Sequence, residues 1–291
     1  MLRALIKTMR PRQWTKNVFV LAALVFDLKL RDPEAIVRSL AGFLLFCLLS
    51  SVVYIVNDIL DVQADRKHPT KRNRPIASGV LPIQIALTAA IILVILTLLG
   101  AYFLSFGFFV ISAVYLLQNL VYSNWLKHIV LIDVMVVASG FVLRVAAGVS
   151  LISVERFSPW LYVCMTLLAL YMGFGKRRAE LALLVSGAAS STRKVLDGYT
   201  IPFLDTIITI VSTATIIAYS LYTFSAPNVP ANHSMMLTIP FVMYAIFRYL
   251  YLVQVKQQGG APEEMVLSDR PLQVTFVLWG VAVLFIFYVF G

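Results

Sequence analysis

Apolar residues run along this chain in nine stretches of near-membrane length, separated by short polar and charged connections. The stretches cover residues 15–31, 39–57, 82–104, 106–122, 129–152, 158–175, 201–224, 235–255 and 271–290. Each is close to the roughly 20 residues that carry an α-helix across hydrocarbon. The pattern predicts an all-α polytopic membrane protein with nine transmembrane helices, in one domain over 1–291. The longest connections, near 58–81, 176–200 and 256–270, fall on one side of such a bundle, and chemistry is expected there.

Composition agrees, because only 13% of residues are charged, against about 25% in soluble domains. The basic residues set an orientation. The connections on the N-terminal side hold most of the 24 Lys and Arg, whereas the other side holds Lys29, Arg31, Arg38 and Arg156, with Arg144 inside a stretch. That bias predicts a multi-pass protein of the cytoplasmic membrane, with the N-terminus and the active site at the cytoplasmic face and Gly291 outside. The net charge of +10 is then a topology signal that also suits anionic lipid headgroups, and no nucleic-acid module claims it. Met1 to Lys16 is basic and leads into a stretch without a small-residue cleavage pattern, so no cleavable signal peptide is predicted. Cys47 and Cys164 lie in apolar stretches and are expected to pack, with neither a disulfide nor a zinc site.

The second stretch delivers Asn57, Asp58, Asp61 and Asp65, which a continuing helix places on one face. An acidic face at a helix end is ordinarily solvated. Here Arg66, Lys67, Lys71, Arg72 and Arg74 follow at once. Carboxylates followed by cations suit a magnesium ion shared with a diphosphate, since the metal takes oxygen ligands and the cations hold the phosphate oxygens it leaves free. Asp58, Asp61 and Asp65 are the expected metal ligands, with Asp58 and Asp61 carrying the catalysis. Lys16 and Asn17, at the mouth of the first stretch, are within reach of a bound phosphate, as is Lys127 in the short connection after Tyr122 and Trp125. Trp14 and Trp125 read as interfacial anchors, and His68 reads as a base or as a residue of a basic turn. Asp133 is expected to complete a polar cavity floor.

Arg144 lies deep in its stretch, where a charge costs about 2.5–3.5 kcal/mol on insertion scales, so it faces a cavity or pairs with a carboxylate. After the sixth stretch, Lys176, Arg177 and Glu180 form a cation-rich group. That group and the acidic row are expected to face one cavity. In the last connection, Asp269 is expected to cap the final helix with Pro271 in its first turn, and residues 262–271 are a candidate lid.

Asn57-Asp58-x-x-Asp61-x-x-x-Asp65-Arg66, followed by Arg74-Pro75-Ile76-Ala77-Ser78-Gly79, resembles the first aspartate-rich motif of the UbiA superfamily of membrane prenyltransferases. Several motifs bring the resemblance closer to one branch, the decaprenyl-phosphate phosphoribosyltransferases. They are Pro11-Arg12-Gln13-Trp14-x-Lys16-Asn17, His68-Pro69-Thr70-Lys71-Arg72, Leu126-Lys127-His128, Gly175-Lys176-Arg177-x-Ala179-Glu180-Leu181 and Asp269-Arg270. The resemblance implies a nine-helix UbiA-like bundle around a lipid-open cavity and Mg²⁺ as cofactor. It implies transfer of 5-phosphoribosyl from 5-phosphoribosyl 1-diphosphate to polyprenyl phosphate, in the supply of a cell-wall arabinose donor. Asn57, Arg66, Tyr122, Arg144 and Glu180 join Lys16, Asn17, Lys71, Arg74, Lys127, Lys176 and Arg177 as substrate-binding residues. A homo-oligomer is left open.

Ordinary prenyltransferases carry a second aspartate-rich motif after the sixth span. Here that position reads Lys-Arg-Arg-Ala-Glu, which weakens the case for an isoprenyl diphosphate donor. The rival readings are prenyl transfer to an aromatic acceptor and transport of an anionic substrate. Transporters tend to place their charged sites near the midplane, and only Arg144 is that deep.

Overall fold

The structure is a computed structural model that describes all residues except 69–70, 154–157, 187–193, 228, 258–264, 266–267 and 291. Several sequence expectations lie outside the described residues: Pro69 and Thr70, Arg156 and Arg193 in the charge bias, residues 262–264 and 266–267 of the lid, and Gly291. The described residues are helical and contain no strand. They fall into two compact units, residues 1–124 with 143–155, and residues 125–142 with 156–291.

The first unit opens with α1 (Leu2–Met9), a 3₁₀ segment (Pro11–Leu21) and α2 (Ala22–Phe26). It continues through α3 (Pro33–Leu60), α4 (Val62–Lys67), α5 (Ile83–Leu104) and α6 (Phe106–Asn124), and takes in the end of α7 (Ile132–Val149). α3 is its axis, packed by α1, the 3₁₀ segment, α5 and α6. Its start is fixed by Asp32, whose carboxylate accepts from the Glu34 and Ala35 amides at 3.0 and 3.2 Å, with Pro33 in the first turn. Phe46 and Leu49 then pack into one buried cluster along it and Val52 and Ile55 into another. Arg38 donates to the carbonyls of Leu104 and Leu151 at 2.7 and 2.8 Å, which satisfies an acceptor left over at the end of α5.

The second unit holds α8 (Pro159–Val185), α9 (Ile201–Ser225), α10 (Ile239–Gln254) and α11 (Arg270–Phe290), with the start of α7. α8 packs along α9, and α10 along α11. Their shared core includes Tyr171, Leu204, Ile208, Tyr249 and Leu272, and the Tyr171 hydroxyl donates to the Ile246 carbonyl at 2.7 Å.

Among the described residues, seven helices are long and apolar enough to cross a membrane. The predicted count of nine is approximate, and two stretches differ in physical detail. The first, expected as one helix over 15–31, is the 3₁₀ segment followed by the short α2. A 3₁₀ helix rises about 2 Å per residue, so these pieces still gain length comparable to a membrane helix. The sixth, expected to end at 175, runs on through Val185, because its cations are neutralised within the fold and no longer force an exit into solvent.

The 3₁₀ segment is seated by Gly148, where a Cβ would fall 2.0 Å from the Val20 carbonyl oxygen. Backbone leaves no side chain to move aside. Gly148→Ala is therefore expected to destabilise the protein by about 1–3 kcal/mol, read as a lowered melting temperature in detergent, and an unchanged melting temperature would contradict this packing.

Candidate active site

The acidic row stands where α3 gives way to α4. Asp61 breaks the helix at φ −88° and ψ 4°, but the ladder continues across it, with Asp61 N donating to Asn57 O at 2.9 Å and Asp65 N to Asp61 O at 2.8 Å. Asp58 and Asp65 are buried, at 2% and 3% exposure, and Asp61 is half-buried. Burial at this depth demands partners for the charge. Arg74 Nη1 lies 3.1 Å from Asp58 Oδ1 and 2.6 Å from Asp65 Oδ2, and Arg10 Nη2 lies 2.5 Å from the same Asp58 oxygen.

Local folding explains how both arginines arrive. Pro11 disfavours the right-handed helical conformation at Arg10, α1 ends there, and Arg10 turns left-handed at φ 53°. Beyond the row, Pro75, Ile76 and Ala77 are buried, and Ile76 and Leu81 pack with Val52, Ile55 and Val62. Gly79, at φ 80°, closes that turn in a conformation that favours glycine. Arg66 Nε donates to the Ala77 carbonyl at 3.2 Å. His68 Nδ1 accepts from the Lys71 amide at 3.2 Å, a bond that helps form the turn. Asn57 Oδ1 accepts from the Ser123 hydroxyl, next to the half-buried Tyr122.

Asn17 is placed differently from its expected phosphate mouth. It is fully buried, and its amide donates to Ser50 Oγ at 3.0 Å and Cys47 Sγ at 3.4 Å. Its Oδ1 accepts from Arg144 Nε at 2.9 Å, and Arg144 Nη2 donates to the Tyr115 hydroxyl at 2.9 Å. The guanidinium also lies over the Tyr115 and Phe46 rings, 5.1 and 5.9 Å from their centroids. This network ties the 3₁₀ segment, α3, α6 and α7 together. Lys16 is half-buried beside it in sequence, and Trp14 donates to Ser51 Oγ at 2.9 Å. Both cysteines are free.

In the second unit, the expected phosphate ligand Arg177 is held by carboxylates. Its Nε is 2.6 Å from Asp133 Oδ2 and its Nη1 is 2.8 Å from Glu180 Oε2. The other Asp133 oxygen accepts from the Tyr199 hydroxyl at 2.7 Å, while that hydroxyl accepts from the Leu131 amide at 2.8 Å. Burial, and then the bond to Asp133, push the Tyr199 hydroxyl well above its ordinary pKa, so it keeps its proton. Arg178 joins Asp205 at 3.1 Å and the Val253 carbonyl at 2.9 Å. Lys127 and Lys176 are half-buried. Asp269 caps α11 as expected, accepting from the Leu272 amide at 3.0 Å, and receives Arg248 Nη2 at 2.8 Å.

Among the described residues, no three His, Cys, Asp or Glu converge as a ready-made metal cage. Asp58 and Asp65 nevertheless suit a hard cation. One cationic nitrogen, Arg74 Nη1, already bridges oxygens from both carboxylates, and magnesium normally takes one or two carboxylates and draws its other ligands from water and phosphate. Sequence reasoning found the row but gave Arg10 no part in it. The available signal was Pro11, which turns the chain at that residue.

The model of the UbiA prenyltransferase family matches residues 18–267. The decaprenyl-phosphate phosphoribosyltransferase of Mycobacterium tuberculosis is 37% identical over 278 residues, covering 94% of this chain and 91% of its own. The enzyme of the same name from Corynebacterium glutamicum is 36% identical over 297 residues, covering 98% and 87%. A solved UbiA homolog from Archaeoglobus fulgidus, bound to GPP and Mg²⁺, superposes with a TM-score of 0.74 at 17% identity, covering 98% of this chain and 99% of that one.

The Asp269–Arg248 pair gives a pH signature. The Arg248 hydrogen bonds hold the Asp269 carboxyl below its ordinary pKa, which is about 3.9. A depressed carboxyl stabilises the fold above its unfolded pKa, and that stability is lost as pH falls through the lower folded value. Wild type should therefore melt above Asp269→Asn at neutral pH, with the gap closing below about pH 4. A gap that is constant with pH would show that the charge contributes nothing.

Proposed function

The chain belongs to the UbiA prenyltransferase family, and from that premise we propose that it transfers a 5-phosphoribosyl group from 5-phosphoribosyl 1-diphosphate to a polyprenyl phosphate, releasing diphosphate. The observation that carries this reading is the 36–37% identity, spanning nearly the whole of both chains, to enzymes named for that activity.

The geometry supports it in two ways. Asp58 and Asp65 stand with Arg10 and Arg74 at one end of α3, so that carboxylates and guanidinium groups suited to a metal diphosphate are already assembled. At the start of the second unit's cationic helix segment, both Asp133 and Glu180 are committed to Arg177. That leaves the segment poorly suited to hold a second magnesium, as an isoprenyl diphosphate donor bound through two aspartate-rich motifs would require.

Asp58 and Asp65, with Asp61 beside them, would hold a Mg²⁺ ion, which would supply positive charge against the departing diphosphate. Arg74, Lys71 and Lys16 hold donor phosphate oxygens, where their charge counts most as the C1–O bond breaks and the electron pair leaves with diphosphate. The acceptor phosphate forms the new bond to C1, through an oxocarbenium-like state by analogy with glycosyl transfer. A phosphate monoester has a second pKa of about 6, so the acceptor is already anionic near neutral pH and no protein nucleophile is required. The lysine and arginine bias supports an N-terminus and an acidic row at the cytoplasmic face of the cell membrane, where a soluble sugar diphosphate is accessible.

Purified protein is to be incubated with labelled 5-phosphoribosyl 1-diphosphate and polyprenyl phosphate, and separately with a prenyl diphosphate and an aromatic acid. Lipid-linked product is expected only in the first mixture, falling by about 100-fold or more in Asp58→Asn and Asp61→Asn. Product only in the second mixture would overturn the proposal.

A further inference from the structure

Asp58 Oδ1 is approached by two guanidinium groups from segments far apart in sequence, Arg10 at 2.5 Å and Arg74 at 3.1 Å, and Arg74 also reaches Asp65. Arg10 has a second support: its guanidinium carbon lies 4.9 Å from the centroid of the Tyr54 ring, one turn before Asp58 on α3. The guanidiniums therefore hold one oxygen of each carboxylate, Asp58 Oδ1 and Asp65 Oδ2, in competition with any divalent ion drawn to the same pair. An ion and an arginine cannot both take the same oxygen at full strength.

Charge balance sharpens the competition. Two arginines and two carboxylates sum to zero, so a divalent ion entering alone leaves two uncompensated positive charges around carboxylates that are themselves buried. A diphosphate arriving with the ion brings several negative charges and gives both guanidiniums a new, bidentate partner. Resting on the reading above, we propose that Arg10 and Arg74 form an exchange latch: they hold Asp58 and Asp65 until a metal-bound diphosphate arrives, then pass from carboxylate to phosphate. Arg10 is thereby a substrate-positioning residue that makes metal and diphosphate bind together and disfavours metal alone. When diphosphate departs, the guanidiniums reclaim the carboxylates and favour release of the ion with it.

The test is Mn²⁺ binding to the purified full chain, read from the paramagnetic resonance signal of free Mn²⁺, with and without inorganic diphosphate. Arg10→Ala should bind Mn²⁺ alone roughly fivefold or more tightly than wild type, because a competing charge-assisted hydrogen bond is gone. At saturating metal the same variant should bind diphosphate roughly fivefold or more weakly. Arg10→Gln, which keeps the stem, gives the same readings should Arg10→Ala fail to extract as folded protein. Mn²⁺ affinity that is unchanged or weakened in these variants would overturn the latch, since a merely structural arginine has no reason to suppress metal binding. Asp58→Asn separates the two claims. Loss of Mn²⁺ binding in that variant together with unchanged affinity in Arg10→Ala removes the latch alone, whereas full Mn²⁺ binding in Asp58→Asn with diphosphate present removes the metal reading beneath it.

Discussion

Two carboxylates buried at the end of a long apolar helix are the constraint to which the rest of the first unit responds. Taking an ion out of water costs several kcal/mol even after relaxation, and Asp58 and Asp65 are each almost wholly inaccessible. The chain answers from both directions. α1 ends at a residue before proline and swings Arg10 onto Asp58, while the segment after α4 is drawn back by Ile76 and Leu81 until Arg74 bridges both aspartates. Hydrophobic packing thus sets the position of an electrostatic site. Ile76 and Leu81 are each 1% exposed, a depth that fixes the Arg74 backbone far better than an exposed turn would.

The second unit solves a related problem to a different end. Its cations at 177 and 178 are paired with Asp133, Glu180 and Asp205, and these bonds lock α8 to the start of α7 and to α9. Tyr199 completes the arrangement, donating to Asp133 and accepting from the Leu131 amide. A triplet of cations that would suit phosphate in solution is here largely part of the scaffold, and what distinguishes the two cases is how many carboxylates face each guanidinium.

Much of this was legible in the sequence. Hydropathy located the long helices, since apolar runs near membrane length have few alternatives, and the spacing of Asp58, Asp61 and Asp65 located the row. The shape of the first apolar stretch was not legible, because residue periodicity does not report that Pro11–Leu21 winds as a 3₁₀ helix pressed against Gly148. Nor was the length of α8. A helix is expected to end where charges begin, yet Arg177 and Arg178 stay inside because their partners come from distant segments. The partners of Asn17 and Arg10 were not legible for the same reason: a side chain's partner 33 or 48 residues away is a property of packing, not of local pattern.

The central claim is that the row at the end of α3 holds a divalent ion against a diphosphate. Its most direct measurement is an experimental structure of the full chain with Mn²⁺ and 5-phosphoribosyl 1-diphosphate, with the ion located by its anomalous scattering. The account predicts one ion in contact with carboxylate oxygens of Asp58 and Asp65 and with the diphosphate, and Arg10 and Arg74 turned from carboxylate to phosphate. An ion and diphosphate bound away from α3, with Arg10 still on Asp58, would contradict it.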